Sequence, residues 1–251
     1  MNDDRIKSIS TEWVKVKKNR RSFIQPYVHL GIFEPSDHPS TILTAGCTGA
    51  GKTEFAKRLL SITEKLPGMK RYVRADADEL YHKIKQQLGI EGDCRDALNF
   101  PCIKLVEAIC DNAIAKKQNL LIDSSFSQPK ALDNVARSLR RGRTVHVHFI
   151  YEQPKVAWNY VLKRERIEGR SVPIDFFVQT YIGSIDVVTN AIERFGNQII
   201  VDIHQKSSEI EPDLLIPEFE RLCRVSTVAD FDEIITRRYN SDDLLKEISS
   251  L

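Results

Sequence analysis

The sequence predicts an α/β fold, in which a mostly parallel sheet is covered by helices on both faces. Short apolar runs alternate with stretches of helical periodicity from residue 41 to about residue 205. The apolar runs resemble strands that are buried on both faces, which is typical of a parallel sheet. A glycine-rich loop at residues 46–53 stands between the first apolar run and the first helical stretch. This succession of strand, loop and helix is the second observation that indicates the fold class.

The predicted elements follow this alternation along the chain. The predicted strands are short and apolar: residues 41–45, 71–75, 119–123, 144–151 and 198–203, of which 198–203 is expected to be the last strand. The predicted helices have apolar residues at helical spacing: residues 53–65, 104–117, 129–141, a long region 154–195 interrupted near 169–173, and 230–239 and 242–248. We therefore expect an N-terminal polar helical segment at residues 1–40, a core domain at 41–205, and a C-terminal helical tail at 206–251 packed on the core.

Composition and charge narrow the class of protein. The 251 residues are 41% hydrophobic and 29% charged, and the net charge is +2 from 37 basic and 35 acidic residues. This balance argues against a nucleic-acid-binding protein, which needs a clear basic excess. The five cysteines form no C-x-x-C pair, which favours a reducing compartment. No apolar run reaches about 18 residues and the N-terminus does not resemble a secretory signal, so we expect a soluble cytoplasmic protein with no membrane or nucleic-acid partner.

The loop at residues 46–53 matches the pattern G-x-x-x-x-G-K-S/T in full. Its residues are Gly46, Cys47, Thr48, Gly49, Ala50, Gly51, Lys52 and Thr53. The glycines permit backbone dihedrals that let successive N–H groups surround an anion, and the helix that follows adds the positive end of its dipole. Lys52 places a positive charge on the β- and γ-phosphates of a nucleotide, and the Thr53 hydroxyl binds Mg²⁺. The sequence therefore predicts a P-loop nucleotide enzyme in which these eight residues bind ATP.

Two carboxylates, Asp76 and Asp78, follow the second predicted strand, at the sheet edge where ligands bind in such folds. An aspartate there can accept the proton of a substrate hydroxyl that attacks the γ-phosphorus. The alternative role is a helix N-cap, because a helical stretch begins near Glu79. We expect one acid to cap the helix and the other to catalyse. The turn of the chain into the helix favours Asp78 as the base and Asp76 as the capping or orienting residue.

A third acid, Asp123, ends the buried strand at residues 119–123 and is placed like a Walker B acid. Its expected role is to hold Mg²⁺ directly or through water. The next residues, Ser124 and Ser125, either hydrogen-bond a substrate or cap the following turn. The guanine-reading pattern N-K-x-D is absent, which argues against a GTPase.

Three arginines, Arg164, Arg166 and Arg170, cluster where the long helical region is interrupted. A mobile segment with several guanidinium groups is typical of a lid, here near residues 164–173, that neutralises charge on the transferring phosphoryl group. The alternative is a solvated helix face on which the arginines pair with Glu165 and Glu168. Helical spacing directs Arg166 away from Arg164 and Arg170.

Together these motifs resemble the zeta-toxin family, whose members are P-loop kinases related to UDP-N-acetylglucosamine kinase. The likeness covers about residues 40–205 and depends on the order and spacing of several motifs. Besides the P-loop these are Asp76 and Asp78 after the second strand, Glu107 on a helix, residues 119–125, Pro154, and residues 164–173.

The resemblance implies a role for each matching residue. It implies that Lys52 and Thr53 bind ATP and Mg²⁺, and that Asp78 is the catalytic base. It also implies that Arg164 and Arg170 contact the phosphates during catalysis. It also places Glu107 and Ser125 at the sugar-nucleotide pocket, and we expect Asp76 to be a further substrate-binding residue.

The expected protein is thus a kinase that transfers the γ-phosphoryl group of ATP to a hydroxyl of a sugar nucleotide such as UDP-N-acetylglucosamine. By resemblance it is a zeta-type toxin, and such toxins normally require a neutralising antitoxin protein. Two alternatives remain open: a P-loop kinase of another small-molecule or nucleoside acceptor, and a nucleotide-dependent switch ATPase. The chain has Ser124, Ser125 and Phe126 where the best-known members have Gly-Thr-(Gly)-Arg, and this difference bears on the acceptor.

Overall fold

A computed structural model of the chain describes residues 2–168, 171–206, 219–235 and 237–249. Six strands lie in these ranges: β1 (Ser40–Ala45), β2 (Tyr72–Asp76), β3 (Asn119–Asp123), β4 (Thr144–Tyr151), β5 (Ile199–Lys206) and β6 (Phe219–Val225). The same ranges contain ten α-helices: α1 (Asp3–Lys15), α2 (Lys17–Ile24), α3 (Lys52–Thr63), α4 (Ala77–Leu88), α5 (Arg95–Ala115), α6 (Ala131–Leu139), α7 (Pro154–Glu168), α8 (Ile174–Phe195), α9 (Val228–Ile235) and α10 (Ser241–Ser249).

The strands belong to a mostly parallel sheet with helices around it, which confirms the predicted fold class. β1 runs parallel to β4, and β4 runs parallel to β5. The central strands are apolar because helices cover both of their faces. Accordingly, Leu43 of β1 and Val145 and Val147 of β4 are completely buried.

The prediction that residues 198–203 form the last strand is wrong, because β6 follows and pairs antiparallel with β5. β6 has the sequence Phe-Glu-Arg-Leu-Cys-Arg-Val, and only Phe219 and Val225 at its two ends are buried. Charged residues are common on exposed strands because they discourage pairing with other chains. Because three of its residues are charged, β6 has no apolar run from which the strand could be predicted.

The helices lie at the predicted positions, with three differences in extent. Residues 237–239, which the sequence predicts to belong to the helix that starts at residue 230, are not helical. The N-terminal segment forms two helices instead of one, since the chain leaves the helical conformation at Val16. Arg20 stabilises this break by donating hydrogen bonds from Nη1 to the carbonyl oxygens of Val14 and Lys15. α5 begins at Arg95, before the predicted start at residue 104, and contains Pro101. Proline normally interrupts a helix, which is why the sequence did not predict this first part.

The chain divides into two compact units. The first comprises Met1–Pro39 and Lys70–Ile122. It contains β2, β3, α1, α2, α4 and α5, and α5 packs against α1, α2 and α4. The fully buried side chains of α5 include Leu98, Leu105 and Ile109. Burial of a side chain of this size stabilises a fold by about 1.5–3 kcal/mol.

The second unit comprises Ser40–Met69 and Asp123–Leu251. It contains β1, β4, β5 and β6 in that order across the sheet. The longest helix of this unit is α8, which buries a broad apolar face that includes Phe177, Val188 and Ala191. α9 contacts α8 and β6, and α10 packs against α7 and α8. Among the described residues, no helix combines the length and the apolar character needed to cross a membrane.

Candidate active site

The glycine-rich loop connects β1 to α3, as the sequence predicts, and two of its glycines lie in tight surroundings. Gly46 has φ +132° and Gly49 has φ +87°, a conformation that residues with a side chain rarely adopt. A methyl group at Gly46 would overlap the carbonyl oxygen of Ile150 in β4. A methyl group at Gly49 would overlap the carbonyl oxygen of Ala157 in α7. These two positions therefore require glycine for both the conformation and the space.

The loop ends at the N-terminus of α3, where backbone N–H groups and the helix dipole attract an anion. Gly51 is the N-cap of α3 with φ 92°, and Lys52 is the first residue of the helix. The Lys52 ammonium group donates a hydrogen bond to the carbonyl oxygen of Cys47 at 2.6 Å. This bond places the positive charge across the loop. The combination of a curved backbone, a helix N-terminus and an ammonium group is suited to bind phosphate.

Cys47 occupies the second position of the loop and is buried. Burial raises the pKa of its thiol to about 12, although the nearby Lys52 charge acts in the opposite direction. The thiol is therefore protonated at neutral pH and is not a nucleophile. Cys94, Cys102 and Cys110 are also buried, as expected for small apolar side chains in a reduced protein, and Cys223 is half-buried.

Two candidate Mg²⁺ ligands lie at this end of the second unit. Thr53 is in the first turn of α3 and its side chain is exposed. Asp123 ends β3 and is buried, and its Oδ1 lies 3.2 Å from the hydroxyl oxygen of Thr44 in β1. The same hydroxyl accepts a hydrogen bond from the Ser124 amide at 3.0 Å. Mg²⁺ prefers oxygen ligands such as hydroxyl and carboxylate groups, so the Thr53 hydroxyl and the Asp123 carboxylate fit the ion.

The segment after β3 is connected to the phosphate loop through the backbone. The Gly46 amide donates a hydrogen bond to the carbonyl oxygen of Ser125 at 3.1 Å. The hydroxyl of Ser125 is 2.6 Å from that of Ser127, and Phe126 between them is buried with φ 55°. A positive φ is uncommon for a bulky residue and is characteristic of functional segments. The structure thus places Ser125 beside the loop, as a candidate substrate-binding residue would require.

The first unit contains the two aspartates that follow β2, and they have different surroundings. Asp76 is the N-cap of α4, because its Oδ1 accepts hydrogen bonds from the amides of Asp78 at 2.9 Å and Glu79 at 3.4 Å. Its Oδ2 accepts a hydrogen bond from Nη2 of Arg74 at 2.6 Å. The expectation that one of the two acids caps the helix is confirmed, and the capping residue is Asp76.

Asp78 lies in the first turn of α4, and its side chain is 48% exposed. Its Oδ1 accepts a hydrogen bond from Nη1 of Arg95 at 3.0 Å. The positive end of the α4 dipole and the Arg95 charge both favour the ionised carboxylate. An ionised and accessible carboxylate is the form that a general base needs.

Another predicted residue of the first unit, Glu107, lies on α5. Its carboxylate forms an ion pair with Lys104 at 2.8 Å, and its side chain is 30% exposed. Glu107 thus remains accessible to a ligand as well as paired. Within the described residues, no group of three or more histidine, cysteine, aspartate or glutamate side chains could hold a metal ion.

The predicted lid arginines lie at the junction of α7 and α8. α7 ends at Glu168 and α8 begins at Ile174, which confirms the predicted interruption of the long helical region. Arg164 and Arg166 are on α7 and both are exposed. Arg170 lies outside the described residues.

Two features near the loop could not be predicted from the sequence. Thr180 of α8 contacts Thr48 of the loop through its hydroxyl group. Beneath α3, the rings of His148 in β4 and His204 in β5 are joined by a hydrogen bond of 2.9 Å and contact Phe55. No local sequence signal indicates either feature, since each depends on residues from separate elements.

The fold and the loop define the class of this protein. A mostly parallel sheet whose first strand leads through a complete G-x-x-x-x-G-K-T loop into a helix is the architecture of P-loop enzymes. The described geometry of residues 46–53 has the features that this class uses to bind a nucleotide's phosphates.

Comparison with known families identifies the group within this class. The family model described as Zeta toxin matches residues 30–211, which is more than half of the chain, and the chain therefore belongs to the zeta toxin family. It is a phosphotransferase, a P-loop kinase of a toxin family. No curated protein matches the sequence.

Solved structures share the fold at low sequence identity. The chain is similar to a structure from the PezAT chromosomal toxin–antitoxin system of Streptococcus pneumoniae, with 17% identity, a TM-score of 0.61, and coverage of 100% of this chain and 95% of that one. It is also similar to the native AvrRxo1-ORF1:-ORF2 complex, with 14% identity, a TM-score of 0.62, and coverage of 96% and 75%. The AvrRxo1-ORF1:-ORF2 structure with ATP has 13% identity, a TM-score of 0.57, and coverage of 93% and 73%.

Proposed function

We propose that this protein transfers the γ-phosphoryl group of ATP to a hydroxyl of a sugar nucleotide such as UDP-N-acetylglucosamine, and acts as a zeta-type toxin in the cytoplasm. The observation that carries the proposal is the phosphate loop. Gly46 and Gly49 hold a backbone conformation suited to an anion, and Lys52 places its charge across the loop. Membership in the zeta toxin family supports the choice of acceptor.

The loop residues perform the nucleotide-binding part of the reaction. The Lys52 ammonium group and amides of the loop compensate the charge of the β- and γ-phosphates. The amides of Gly46 and Thr48 are not among them, because they bond Ser125 and Thr180. Thr53 and Asp123 would hold Mg²⁺ through their oxygen atoms, and the ion would supply positive charge against the phosphates. Arg164 and Arg170 add positive charge as the phosphoryl group moves.

The acids of the first unit perform the acceptor part. Asp78 accepts the proton of the acceptor hydroxyl as its oxygen attacks the γ-phosphorus, so that the bond to phosphorus forms while the bond to the ADP oxygen breaks. Asp76 orients Asp78 by capping α4. Glu107 and Ser125 bind the sugar nucleotide.

If the protein is a toxin, the cell that makes it needs a protein partner that neutralises it. One of the similar structures comes from a toxin–antitoxin system. A kinase that modifies a nucleotide sugar inside the cell that makes it would deplete that sugar, so its producer needs an inhibitor. We therefore propose that an antitoxin protein binds this chain.

The proposal can be tested by mass spectrometry of a nucleotide-sugar panel incubated with ATP, Mg²⁺ and the protein. We expect one phosphoryl group to be added to UDP-N-acetylglucosamine or to a closely related sugar nucleotide, and no product with Lys52→Ala. Phosphorylation of a nucleoside or another metabolite instead would contradict the sugar-nucleotide acceptor. ADP formation without any phosphorylated acceptor would indicate a switch ATPase.

A further inference from the structure

The phosphate loop is held by α8 through one buried hydroxyl group, that of Thr180. The Thr180 side chain is 2% exposed. Its Oγ1 donates a hydrogen bond to the carbonyl oxygen of Phe177 at 3.0 Å. The same oxygen lies 3.4 Å from the amide nitrogen of Thr48 and 3.3 Å from Oγ1 of Thr48.

These contacts use the full hydrogen-bonding capacity of the Thr180 hydroxyl. A hydroxyl has one donor and two acceptor lone pairs. The donor binds Phe177, so the two lone pairs accept hydrogen bonds from the amide and the hydroxyl of Thr48. Valine has nearly the same shape as threonine, but at this position it would leave both Thr48 groups without these bonds.

The hydrogen bonds between Thr180 and Thr48 hold the loop in place together with two other contacts. β4 contacts the loop at Gly46 through Ile150, and α7 contacts it at Gly49 through Ala157. Thr180 adds the contact from α8, so the helices on both sides of the interruption after residue 168 are attached to consecutive residues of the loop. A loop that binds through its backbone amides needs this support, because a displacement of the backbone also displaces the binding groups.

We propose that Thr180 is a positioning residue of the nucleotide site: its hydroxyl holds the Thr48 backbone and keeps the phosphate loop in the conformation that binds ATP. Thr180 acts through Thr48 and not through contact with the nucleotide. The inference rests on the proposed function, because it assumes that the loop binds ATP.

α8 provides a matched control one turn further along. Ser184 is 1% exposed, and its hydroxyl donates to the carbonyl oxygen of Tyr181 at 3.0 Å, the same local bond that Thr180 makes to Phe177. No hydrogen bond between Ser184 and the loop is found among the described residues. Ser184→Ala therefore removes a buried hydroxyl from the same helix without removing a contact to Thr48.

The test compares the ATP affinity of Thr180→Val, Thr180→Ser and Ser184→Ala by calorimetric titration with Mg²⁺. We expect Thr180→Val to weaken ATP binding by about three- to tenfold, because it removes the hydroxyl that accepts both hydrogen bonds from Thr48. Thr180→Ser keeps the hydroxyl and should stay within about twofold of the wild type, as should Ser184→Ala. Melting temperatures measured in parallel separate a loss of folding from a loss of affinity.

The outcomes distinguish this proposal from the proposed function. If the wild type binds ATP and folded Thr180→Val binds it equally well, the positioning role is wrong and the nucleotide site stands. If Thr180→Ser binds as weakly as Thr180→Val, the hydroxyl is not the cause and the positioning role is also wrong. If the wild type does not bind ATP, both proposals fail.

Discussion

Two regions contribute to the proposed reaction in different ways: the phosphate loop, and the turn with Asp76 and Asp78 at the start of α4. In the loop, the proposed binding uses the backbone, and Gly46 and Gly49 are required because any side chain would collide with a neighbouring carbonyl oxygen. In the turn, the proposed chemistry uses side chains, and two chemically identical residues have different surroundings. Asp76 caps α4, whereas Asp78 is half-exposed and paired with Arg95.

This difference explains why one region is easier to assign than the other. A backbone function needs particular residue types at fixed positions, so the sequence pattern already contains it. A side-chain function depends on which partners the fold brings near. Arg95, which donates a hydrogen bond to Asp78, is 17 residues away in sequence, and no local sequence pattern indicates this contact.

The largest effect is expected at the turn. Asp78→Asn should bind ATP normally but transfer phosphoryl groups about 10²–10⁴-fold more slowly, because the amide cannot accept the acceptor's proton. The measurement is a sugar-nucleotide phosphorylation assay combined with thermal shift in the presence of ATP and Mg²⁺.

Asp76→Asn is the matched variant at the same turn. Asparagine is also a good N-cap, so this variant should keep α4 intact and retain more activity than Asp78→Asn. An active Asp78→Asn with an inactive Asp76→Asn would reverse the assignment of the two acids. If both variants remain active, neither is the base.

The loop should show the next largest effect. Lys52→Ala removes the ammonium group that lies across the loop and should reduce phosphoryl transfer by about 10²–10³-fold, as the loss of one strong electrostatic donor does in other enzymes. Unlike Asp78→Asn, it should also weaken ATP binding. Full transfer activity in a folded Lys52→Ala protein would refute the nucleotide site.

A smaller effect is expected from the arginines of α7. If Arg164 stabilises charge only in the transition state, Arg164→Ala should lower kcat by about 10-fold or more while changing the KM for ATP less. Arg166→Ala is the control, because helical spacing directs Arg166 to a different side of α7. If both variants keep the wild-type kcat, Arg164 and Arg166 are surface charges without a role in catalysis.

The smallest effect concerns the sheet beneath the loop. Burial, together with the neighbouring His204 imidazole, lowers the pKa of His148 to about 3, and burial lowers that of His204 to about 4. In the unfolded chain both groups titrate near 6.5. Between that pH and about 4 the unfolded chain binds protons that the folded chain does not, so stability should decrease as the pH falls through this window.

The melting temperature measures this dependence, and we expect a decrease of about 5 °C or more between pH 7 and pH 5. A variant carrying both His148→Gln and His204→Gln should show a shallower decrease in the same range. An equally steep decrease in that variant would show that other groups cause the effect. Asp202 contributes little between pH 7 and pH 5, because its pKa is lowered from an ordinary value that already lies below this range.

The sequence predicted the parts of the molecule in which residue type alone determines structure. The glycines, Lys52 and the apolar strand of residues 41–45 predicted the phosphate loop with its flanking elements. β6 was missed because exposed charges interrupt its apolar residues, and the start of α5 was missed because Pro101 suggests a break. The bond between Thr180 and Thr48 joins residues 132 positions apart, so only the folded chain reveals it.

The most direct test of the central claim is a crystal structure with a non-hydrolysable ATP analogue and Mg²⁺. We expect the β- and γ-phosphates to lie against the loop at residues 46–53, with Lys52 on the phosphates and with Thr53 and Asp123 around the metal ion. A nucleotide bound away from this loop, or phosphates that contact neither Lys52 nor the loop amides, would contradict it.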